Sequence, residues 1–496
     1  MTEMNIPHVE LAGIAPEIAL TVAALVILVV HALLGNRVST WYLPYLASLG
    51  LIVAGVLAVI VWDVNDLQLS GMIALDNFAT FVKVTLAVFG LLTVWLGRDY
   101  LTRDRLEESE FYALVLFAVA GMMLMAAAAD LIVIFLALET FSIALYVLVA
   151  FKRRSSEAQE SAMKYFLLGA FSSAFFLFGI ALAYGAVGTT NLYSTGPNAD
   201  SLFRFASGGP ASDHGLLILA MGLIIVGLGF KIAAVPFHAW TPDAYQGAPS
   251  PVTGFMAAGS KIAGFAALIR VLDAILFPLR WDWRPLVIGI AVLTMVVGSV
   301  LAVVQEDVKR MLAYSSIAHA GFVLVGVIAA NDRGVSGSLF YLATYGLTVL
   351  GSFAVISILG GPGEQRTRLS DYRGAFYQRP LLAGALTLFL LALAGVPVTS
   401  GFVAKLVVFG AAIESGYWWL VVIGVLTSAV AAFFYLRVLV VMYMQEPDEG
   451  SEPAPAGGWL ANAVVAVTAV ATIVLGLAWG PLIEAAERAR FFVSGG

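Results

Sequence analysis

Fourteen long apolar stretches follow one another along this chain, and they constrain its fold more than any other feature. A helix needs about 20 mostly apolar residues to cross the hydrocarbon core of a bilayer. Ten-residue segments of alternating hydropathy, typical of a membrane β-barrel, do not occur in the sequence. Because a helix satisfies its own backbone hydrogen bonds in lipid, the sequence predicts an all-α integral membrane protein. The predicted spans are residues 14–34, 41–62, 73–97, 111–128, 130–151, 162–187, 215–235, 249–273, 286–304, 309–330, 336–359, 380–415, 417–444 and 459–480.

The composition agrees with a chain that lies mostly in lipid. Hydrophobic residues make up 61% of the 496 residues and charged residues only 12%. Too few polar side chains remain to cover soluble domains, and a disordered or nucleic-acid-binding protein is excluded. The chain has no cysteine, which excludes disulfides, Cys-ligated iron–sulfur clusters and Cys-containing zinc sites. The first ten residues carry acids but no Lys or Arg, so we expect no cleaved signal peptide.

Basic residues in the loops predict the orientation, because cytoplasmic loops of membrane proteins carry the excess of Lys and Arg. Loops on one side of the predicted spans hold 13 basic residues, whereas segments on the N-terminal side hold seven. The difference predicts that both termini lie on the outer side of the membrane. The segment that contains Arg270, Arg280 and Arg284 runs against this rule.

Basic residues also occur inside the predicted spans. An ionisable group near the middle of the bilayer costs roughly 2.5–3.5 kcal/mol. Lys can become neutral in a buried site while Arg stays charged, so buried lysines are candidate proton carriers. Arg437 can extend its charge to the interface, and Lys83 can pair structurally beside Asp76 and Asn77. The six residues are Lys83, Lys164, Lys231, Lys261, Lys405 and Arg437.

Two further ionisable residues lie deep within predicted spans. Glu139 is about ten residues from either edge of its span. It needs a partner, and Lys164 on the next span is the nearest basic candidate in sequence, so we predict an ion pair. His319 lies in the tenth span, either as a hydrogen-bonding core residue or as a proton relay.

Proline interrupts two of the predicted spans, at Pro236 and Pro397. An interior proline removes a helical hydrogen bond and bends the helix. Lys231 lies five residues before Pro236, and Lys405 lies eight residues after Pro397. Broken helices beside ionisable residues mark ion paths in transporters, although a simple packing kink is the alternative.

The two breaks fall in the seventh and twelfth spans, which divides the chain by helix counting. Spans 4–8 and 9–13 form two five-helix units, and the odd number gives the second unit the opposite topology. The predicted segments are an N-terminal three-helix segment (1–110), a first repeat (111–275), a second repeat (286–445) and a loop with the last helix (446–496).

Two motifs point to a known family. The stretches KIAAVPFHAWTPDAYQGAPSPVTGFMAAGSKIAGFAAL (231–268) and QEDVKRMLAYSSIAHAGF (305–322) resemble the antiporter-like subunits of respiratory complex I and of multisubunit cation/proton antiporters. The resemblance covers nearly the whole chain and implies proton conduction along a central row of charged residues. Carried over by motif, Glu139 and Lys164 resemble the coupling ion pair and Lys231 the central proton carrier. Lys261 resembles the next lysine, His319 lies on the bridge between the half-channels, and Lys405 resembles the terminal lysine.

The resemblance implies a function that depends on other proteins. The chain would be a proton-translocating membrane-arm subunit of NADH–quinone oxidoreductase (complex I) in a bacterial inner membrane. It would hold no cofactor or metal itself, while flavin and iron–sulfur clusters in partner subunits supply the redox chemistry. Its partners would be the other membrane-arm subunits, the lipid bilayer and protons, with quinone used by the whole complex and no nucleic acid.

Alternatives follow from the same resemblance. The second interpretation is a subunit of a multisubunit cation/proton antiporter. The third is a structural scaffold, although a scaffold does not need five lysines in its spans. Complex I has three large paralogues of this type. Three features favour one of these paralogues over the other two. They are the absence of a C-terminal lateral helix, Lys rather than Glu at position 405, and the start LAGIAPEIALT.

Overall fold

A computed structural model describes residues 11–34, 40–106, 109–194, 199–208, 214–447 and 456–492. The first ten residues, on which the signal-peptide prediction depends, lie outside this range. The helices before residue 276 are α1 Ala15–Leu34, α2 Leu43–Ile60, α3 Asn77–Asp104, α4 Ser109–Ala127, α5 Leu131–Val149, α6 Ser156–Val187, α7 Leu202–Gly208, α8 Gly215–Lys231, α9 Trp240–Gly247, α10 Ser250–Phe255 and α11 Lys261–Ile269.

The remaining helices complete the bundle. They are α12 Arg280–Val303, α13 Val308–Ala329, α14 Asp332–Leu359, α15 Ala375–Gln378, α16 Pro380–Ala394, α17 Ser400–Glu414, α18 Trp418–Met444, α19 Trp459–Leu477 and α20 Gly480–Arg488. Two π-helical turns, Met256–Ser260 and Arg270–Ile275, extend α10 and α11 into one helix, Ser250–Ile275.

The number of spans agrees with the prediction. Among the described residues, twelve helices are long and apolar enough to cross a membrane. The two other spans are the interrupted ones, α8 with α9 and α16 with α17. The predicted all-α membrane fold with two broken helices is therefore confirmed.

Asp130 separates two spans that nearly touch in sequence. Its backbone is extended, and its carboxylate accepts hydrogen bonds from the amides of Ile132 (2.7 Å) and Val133 (3.2 Å). The same carboxylate accepts a hydrogen bond from the hydroxyl of Thr190 (2.6 Å). Capping the first free amides in this way starts α5 at Leu131.

A small hairpin is one element that the sequence did not predict. Strands β1 Asp66–Gln68 and β2 Ile73–Leu75 pair antiparallel, with Leu67 opposite Ala74. The amide side chain of Gln68 accepts a hydrogen bond from the backbone of Gly13 (2.7 Å). Three-residue strands leave too short a pattern for alternation to be recognised.

Three helices form the centre of the molecule. The most apolar windows of Ser250–Ile275, α13 and α14 are 94–100% buried, whereas those of α6 and α19 are only 33% buried. The peripheral helices expose large apolar side chains, such as Phe171 and Leu177 on α6. A helix bundle in lipid has this arrangement, because lipid chains cover the outer surface while protein covers the central helices.

Corresponding helices pack alike in the two predicted five-helix units. The first helix packs on the second in both units, as α4 on α5 and α12 on α13. The third helix packs on the broken one in both, as α6 on α8 and α9, and α14 on α16 and α17. This correspondence supports two repeats, whose boundaries at 111–275 and 286–445 stay a prediction.

Arg270 is not the loop residue that the orientation analysis assumed. It lies in a π-helical turn with its side chain fully buried, and its guanidinium forms two hydrogen bonds to Asp76, of 2.8 and 3.0 Å. The same guanidinium bonds Tyr193 and the carbonyl of Ala126. The prediction failed because the sequence alone does not show whether an arginine near the end of a span lies in the loop or is buried against a partner such as Asp76.

Lys83 also pairs with a residue that the sequence analysis did not name. Its ammonium contacts the carboxylate of Glu17 (2.7 Å) and donates to the carbonyl of Gly13 (2.8 Å). The structural role considered for Lys83 is thus supported, but its partner comes from α1 and not from Asp76 or Asn77.

Candidate functional site

Lys231 is the last residue of α8, where the seventh span breaks. Two backbone groups beside the break are bonded to side chains within the protein. The carbonyl of Phe230 accepts a hydrogen bond from Trp240 Nε1 (3.0 Å), and the amide of Val235 donates to Thr294 Oγ1 (2.9 Å). The break therefore positions Lys231 without exposing free backbone groups to lipid.

The Lys231 ammonium is buried among neutral groups. It donates hydrogen bonds to Ser142 Oγ (2.7 Å) and to the hydroxyl of Tyr165 (3.0 Å). The ring of Phe141 lies 4.5 Å from Nζ. In the described ranges no carboxylate lies within ion-pair distance of it, so its charge is solvated by hydroxyl and aromatic groups alone.

Glu139 lies near Lys231 and on the same side of α5 as Ser142. Its carboxylate accepts a hydrogen bond from Ser173 Oγ on α6. A cavity of about 10 Å³ adjoins the Lys231 side chain and is lined by Ser142, Ser172 and Ser173 among others. The Ser172 hydroxyl is buried without a hydrogen-bond partner in the described structure. A cavity of this size and polarity has room for about one water molecule.

The predicted ion pair between Glu139 and Lys164 is wrong. Lys164 contacts Glu160 (2.7 Å) and Asp243 (3.0 Å), and its side chain is 47% exposed. Lys164 precedes Ser173 by nine residues on α6, which is about 13 Å along the helix axis. Because Ser173 is the residue of α6 that contacts Glu139, Glu139 and Lys164 lie at different depths along the bundle.

Asp243 is a residue that the sequence analysis missed. It lies on α9, the short helix after the first break, and its second oxygen contacts Arg310 at the start of α13 (2.6 Å). Lys164 and Arg310 are thus joined through one carboxylate at this end of the bundle. Its position in the proline-rich stretch directly after the first break was the feature of the sequence that could have indicated it.

Lys261 joins the first five-helix unit to the second. It is buried at the start of α11, and its ammonium donates to both the carbonyl and the hydroxyl of Ser316 on α13. The hydroxyl of Tyr245 lies 3.5 Å from the same Ser316 hydroxyl oxygen. Tyr165, which accepts a hydrogen bond from Lys231, stacks on Trp240 with ring centroids 4.4 Å apart, and the Trp240 ring lies 6.2 Å from that of Tyr245.

His319 lies one turn beyond Ser316 on α13 and is fully enclosed. Nδ1 is 2.7 Å from the hydroxyl of Tyr341, and Nε2 is 3.3 Å from the hydroxyl of Tyr435. Ser315 also bonds the Tyr435 hydroxyl. Each ring nitrogen thus has a hydroxyl partner that can donate or accept, which is the arrangement that a proton relay needs.

Lys405 lies beside the second break. Its ammonium donates to the free carbonyls of Leu393 (3.1 Å) and Ala394 (2.9 Å) at the end of α16, and to Ser428 Oγ (2.6 Å). Phe322 lies between it and the histidine, 5.0 Å from Lys405 Nζ and 5.6 Å from the His319 ring. On its other side, Lys405 reaches a groove of about 480 Å³ between α17 and α18.

The structure therefore places four of the six predicted site residues in one row. Lys231, Lys261 and Lys405 are buried lysines bound only to neutral groups in the described structure, and His319 lies between the last two. Glu139 adjoins the first lysine. Lys164 stands apart at the surface of the chain, so the six residues do not form the single continuous site that was expected.

Comparison with known proteins identifies the family. Residues 128–431 match the family model described as "NADH:quinone oxidoreductase/Mrp antiporter, TM". A relative named NADH-quinone oxidoreductase subunit N, from Salinispora arenicola, is 43% identical over 99% of this chain and 100% of its own length.

Two solved structures share the fold. A chain of respiratory complex I from Thermus thermophilus is 35% identical, with a TM-score of 0.78 over 95% of this chain and 98% of that one. A chain of the Mrp complex from Dietzia has a TM-score of 0.82 over 96% and 97%, but at 23% identity it shows the fold alone.

The fold and the buried row define an antiporter-like membrane subunit that crosses the bilayer many times. Several relatives named NADH-quinone oxidoreductase subunit N are more than 40% identical to this chain over nearly its full length. The chain belongs to the NADH-quinone oxidoreductase subunit N family. Among the three paralogues of complex I, Lys405 and the start LAGIAPEIALT favoured subunit N, and this prediction is confirmed.

Proposed function

We propose that this chain is a proton-translocating subunit in the membrane arm of an NADH–quinone oxidoreductase. The observation that carries the proposal is the row of three buried lysines and one histidine with neutral partners. A buried ammonium without a carboxylate is costly, and lysine can relieve that cost by releasing its proton. Arginine cannot, which explains why lysines rather than arginines form the row.

Glu139 acts on this row through Lys231. Two unit charges about 7 Å apart interact by roughly 2 kcal/mol at an effective dielectric of about 20. Ser173 donates to the Glu139 carboxylate and, together with Lys231, lines the small cavity beside it. A change in the charge of Glu139 would therefore alter the proton affinity of Lys231.

The proton then crosses from the first five-helix unit to the second. It passes from Lys231 past the Tyr165 and Trp240 rings to Lys261, whose partner Ser316 leads along α13 to His319. Phe322 separates His319 from Lys405, from which the proton leaves. The two aromatic barriers would keep each step from occurring until the neighbouring charges change.

Energy for this transfer comes from partner subunits. The chain has no cysteine and so cannot hold Cys-ligated clusters. We place flavin and iron–sulfur chemistry, and the use of quinone, in the other subunits, and no redox catalysis in this chain. Because Arg270 is buried and not a loop residue, the number of basic loop residues on the N-terminal side falls from seven to six. This supports both termini on the outer side of a bacterial inner membrane.

Replacing the central lysine tests the proposal. Lys231→Ala should assemble into the complex but pump fewer protons per electron, because the row loses its first carrier. Lys231→Arg keeps the charge but cannot release a proton, so it should not restore pumping. The double variant Lys83→Ala/Glu17→Gln is the matched control, since Lys83 is equally buried but pairs with Glu17 away from the row, and replacing both residues leaves no unpaired buried charge. Parental proton-to-electron stoichiometry in purified, assembled Lys231→Ala complex would contradict the proposal.

A second experiment separates this function from that of a cation/proton antiporter subunit. The native complex should be purified through a tag on this chain and its absorbance recorded. We expect flavin and iron–sulfur absorbance to co-purify with the chain. A complex with neither chromophore would favour the antiporter.

A further inference from the structure

Glu364 lies in the connection after α14, in a backbone conformation that non-glycine residues rarely adopt. Its φ is 53°, and Gly361 and Gly363 before it also have positive φ, of 68° and 69°. The side chain is turned inward and is only 3% exposed. A local conformation of this kind persists only where surrounding contacts hold it in place.

Three groups from separate parts of the chain converge on the Glu364 carboxylate. Oε1 accepts a hydrogen bond from the backbone amide of Ser250 (2.8 Å), the first residue of α10. Oε2 contacts the ammonium groups of Lys152, just after α5 (3.1 Å), and Lys309, at the start of α13 (3.2 Å). We call Glu364, Lys152, Lys309 and Ser250 the inner clamp.

The clamp holds the entry to helix α10 from both sides. Lys309 also donates to the carbonyl of Ala248 (2.6 Å), two residues before Ser250. Glu364 thus fixes the first amide of the helix, and Lys309 fixes the carbonyl that precedes it. A carboxylate at a helix N-terminus is favourable for the helix dipole as well.

The two helices that start at the clamp meet again at the proton-carrying row. Ser250–Ile275 carries Lys261, and α13 carries Ser316 and His319. In the described structure, the hydrogen bonds of the Lys261 ammonium both go to Ser316. Sliding or rotating one helix against the other would break this contact, which links the buried lysine of the first five-helix unit to the helix of His319 in the second.

We propose that Glu364 is a positioning residue for proton transfer, because it sets the register between the helix of Lys261 and the helix of His319. This inference rests on the proposed function of the row. Glu364 does not itself carry the proton. Lys152 brings the end of α5 into the same clamp, so the helix that carries Glu139 is tied to it as well.

The charge state of Glu364 suits a permanent clamp. Burial disfavours its ionised form, but Lys309, Lys152 and the Ser250 amide outweigh burial and lower the pKa of Glu364 to about 2. The carboxylate is therefore charged throughout the physiological range.

Substitution of Glu364 in the intact complex tests the inference. Glu364→Gln keeps the size and one acceptor for Ser250 but removes the charge that binds both lysines. We expect assembled Glu364→Gln complex to show a loss of protons pumped per electron in the same direction as Lys231→Ala. Glu364→Asp retains the charge and should restore part of the loss. Glu414→Gln, which breaks an exposed ion pair with Arg333, is the matched control and should pump as the parent does.

A second variant covers the case in which Glu364→Gln does not assemble. Lys152→Gln removes one cation from the rim of the clamp, where the lysine side chain is 16% exposed, and should give a smaller loss of pumping. If Lys231→Ala lowers the proton-to-electron ratio but assembled Glu364→Gln or Lys152→Gln does not, the inference is overturned while the proposed function stands. If Lys231→Ala also has no effect, the proposed function fails and the inference with it.

Discussion

At the scale of single residues, the sequence predicted which cations are buried but not what they contact. Lys231, Lys261, His319 and Lys405 are all enclosed, as their positions within apolar spans indicated. Their roles in proton transfer stay predictions. Contacts depend on the depth and rotation of neighbouring helices, which sequence distance does not give. For this reason Lys164 was assigned to Glu139, whereas Ser173 is the residue that contacts that carboxylate.

The titration of Glu364 gives a prediction at the same scale. Its pKa is lowered to about 2 in the folded chain, against an ordinary value of 4.5. A carboxyl group with a lowered pKa stabilises the fold fully above its unfolded pKa, and this contribution is lost as the pH falls toward the folded pKa. The difference corresponds to about 3 kcal/mol at neutral pH.

Thermal unfolding of the purified complex at several pH values would test this titration. The parent should be more stable than Glu364→Gln by a constant margin between about pH 6 and pH 8, as its carboxylate is fully charged over this range. The margin should narrow as the pH falls below about 4.5. A margin that stayed constant down to about pH 3 would show that the charge of Glu364 does not stabilise the fold.

At the scale of elements, hydropathy predicted the spans well because a bilayer imposes a minimum length on every helix. The two proline breaks were also visible, and the helices end near them at Lys231 and Ala394. The hairpin and the π-helical turns of Ser250–Ile275 were not predicted. The hairpin strands are too short for alternation to be recognised, and the π-helical turns lie in a fully buried helix, where hydropathy does not distinguish them from an α-helix.

The turn at the second break requires a residue without a side chain at position 395, which is Gly395. Its φ is +88°, and a Cβ atom there would lie 3.1 Å from Lys405 Nζ. Gly395→Ala should therefore strain the turn by about 1–2 kcal/mol and displace the Lys405 ammonium from the Ala394 carbonyl. We expect a lower unfolding temperature and reduced proton pumping in the assembled complex.

Gly384→Ala is the matched control on α16. A Cβ at Gly384 has nothing within 4 Å, and alanine is favoured over glycine in a helix by roughly 0.5–1 kcal/mol. This variant should be as stable as the parent or more so, and it should pump normally. Equal behaviour of the two variants would mean that the turn at Gly395 tolerates a side chain.

At the scale of the whole molecule, buried ion pairs connect segments that are distant in sequence. Asp76 and Arg270 join α3 to the end of Ser250–Ile275, and the amide of Phe492 donates to the same Asp76 carboxylate (2.9 Å). The C-terminal segment is thereby attached to the bundle near the first residues of α3. The inner clamp makes a comparable connection through Glu364. The sequence contained these residues, but their pairing required the packed bundle.

Arg270→Met tests how much the Asp76–Arg270 pair contributes to the assembled bundle. Removing one partner of a buried pair leaves the other charge unpaired, so we expect a loss of about 3–5 kcal/mol. The double variant Asp76→Asn/Arg270→Met should regain much of the stability, since it leaves no buried charge and the introduced side-chain carbonyl can still accept a hydrogen bond from the Phe492 amide. Arg333→Met breaks a half-exposed pair and should cost at most about 1 kcal/mol. Unfolding temperature and the amount of chain in the membrane measure all three. If Arg270→Met resembled Arg333→Met, the buried Asp76–Arg270 pair would contribute no more to stability than an exposed one.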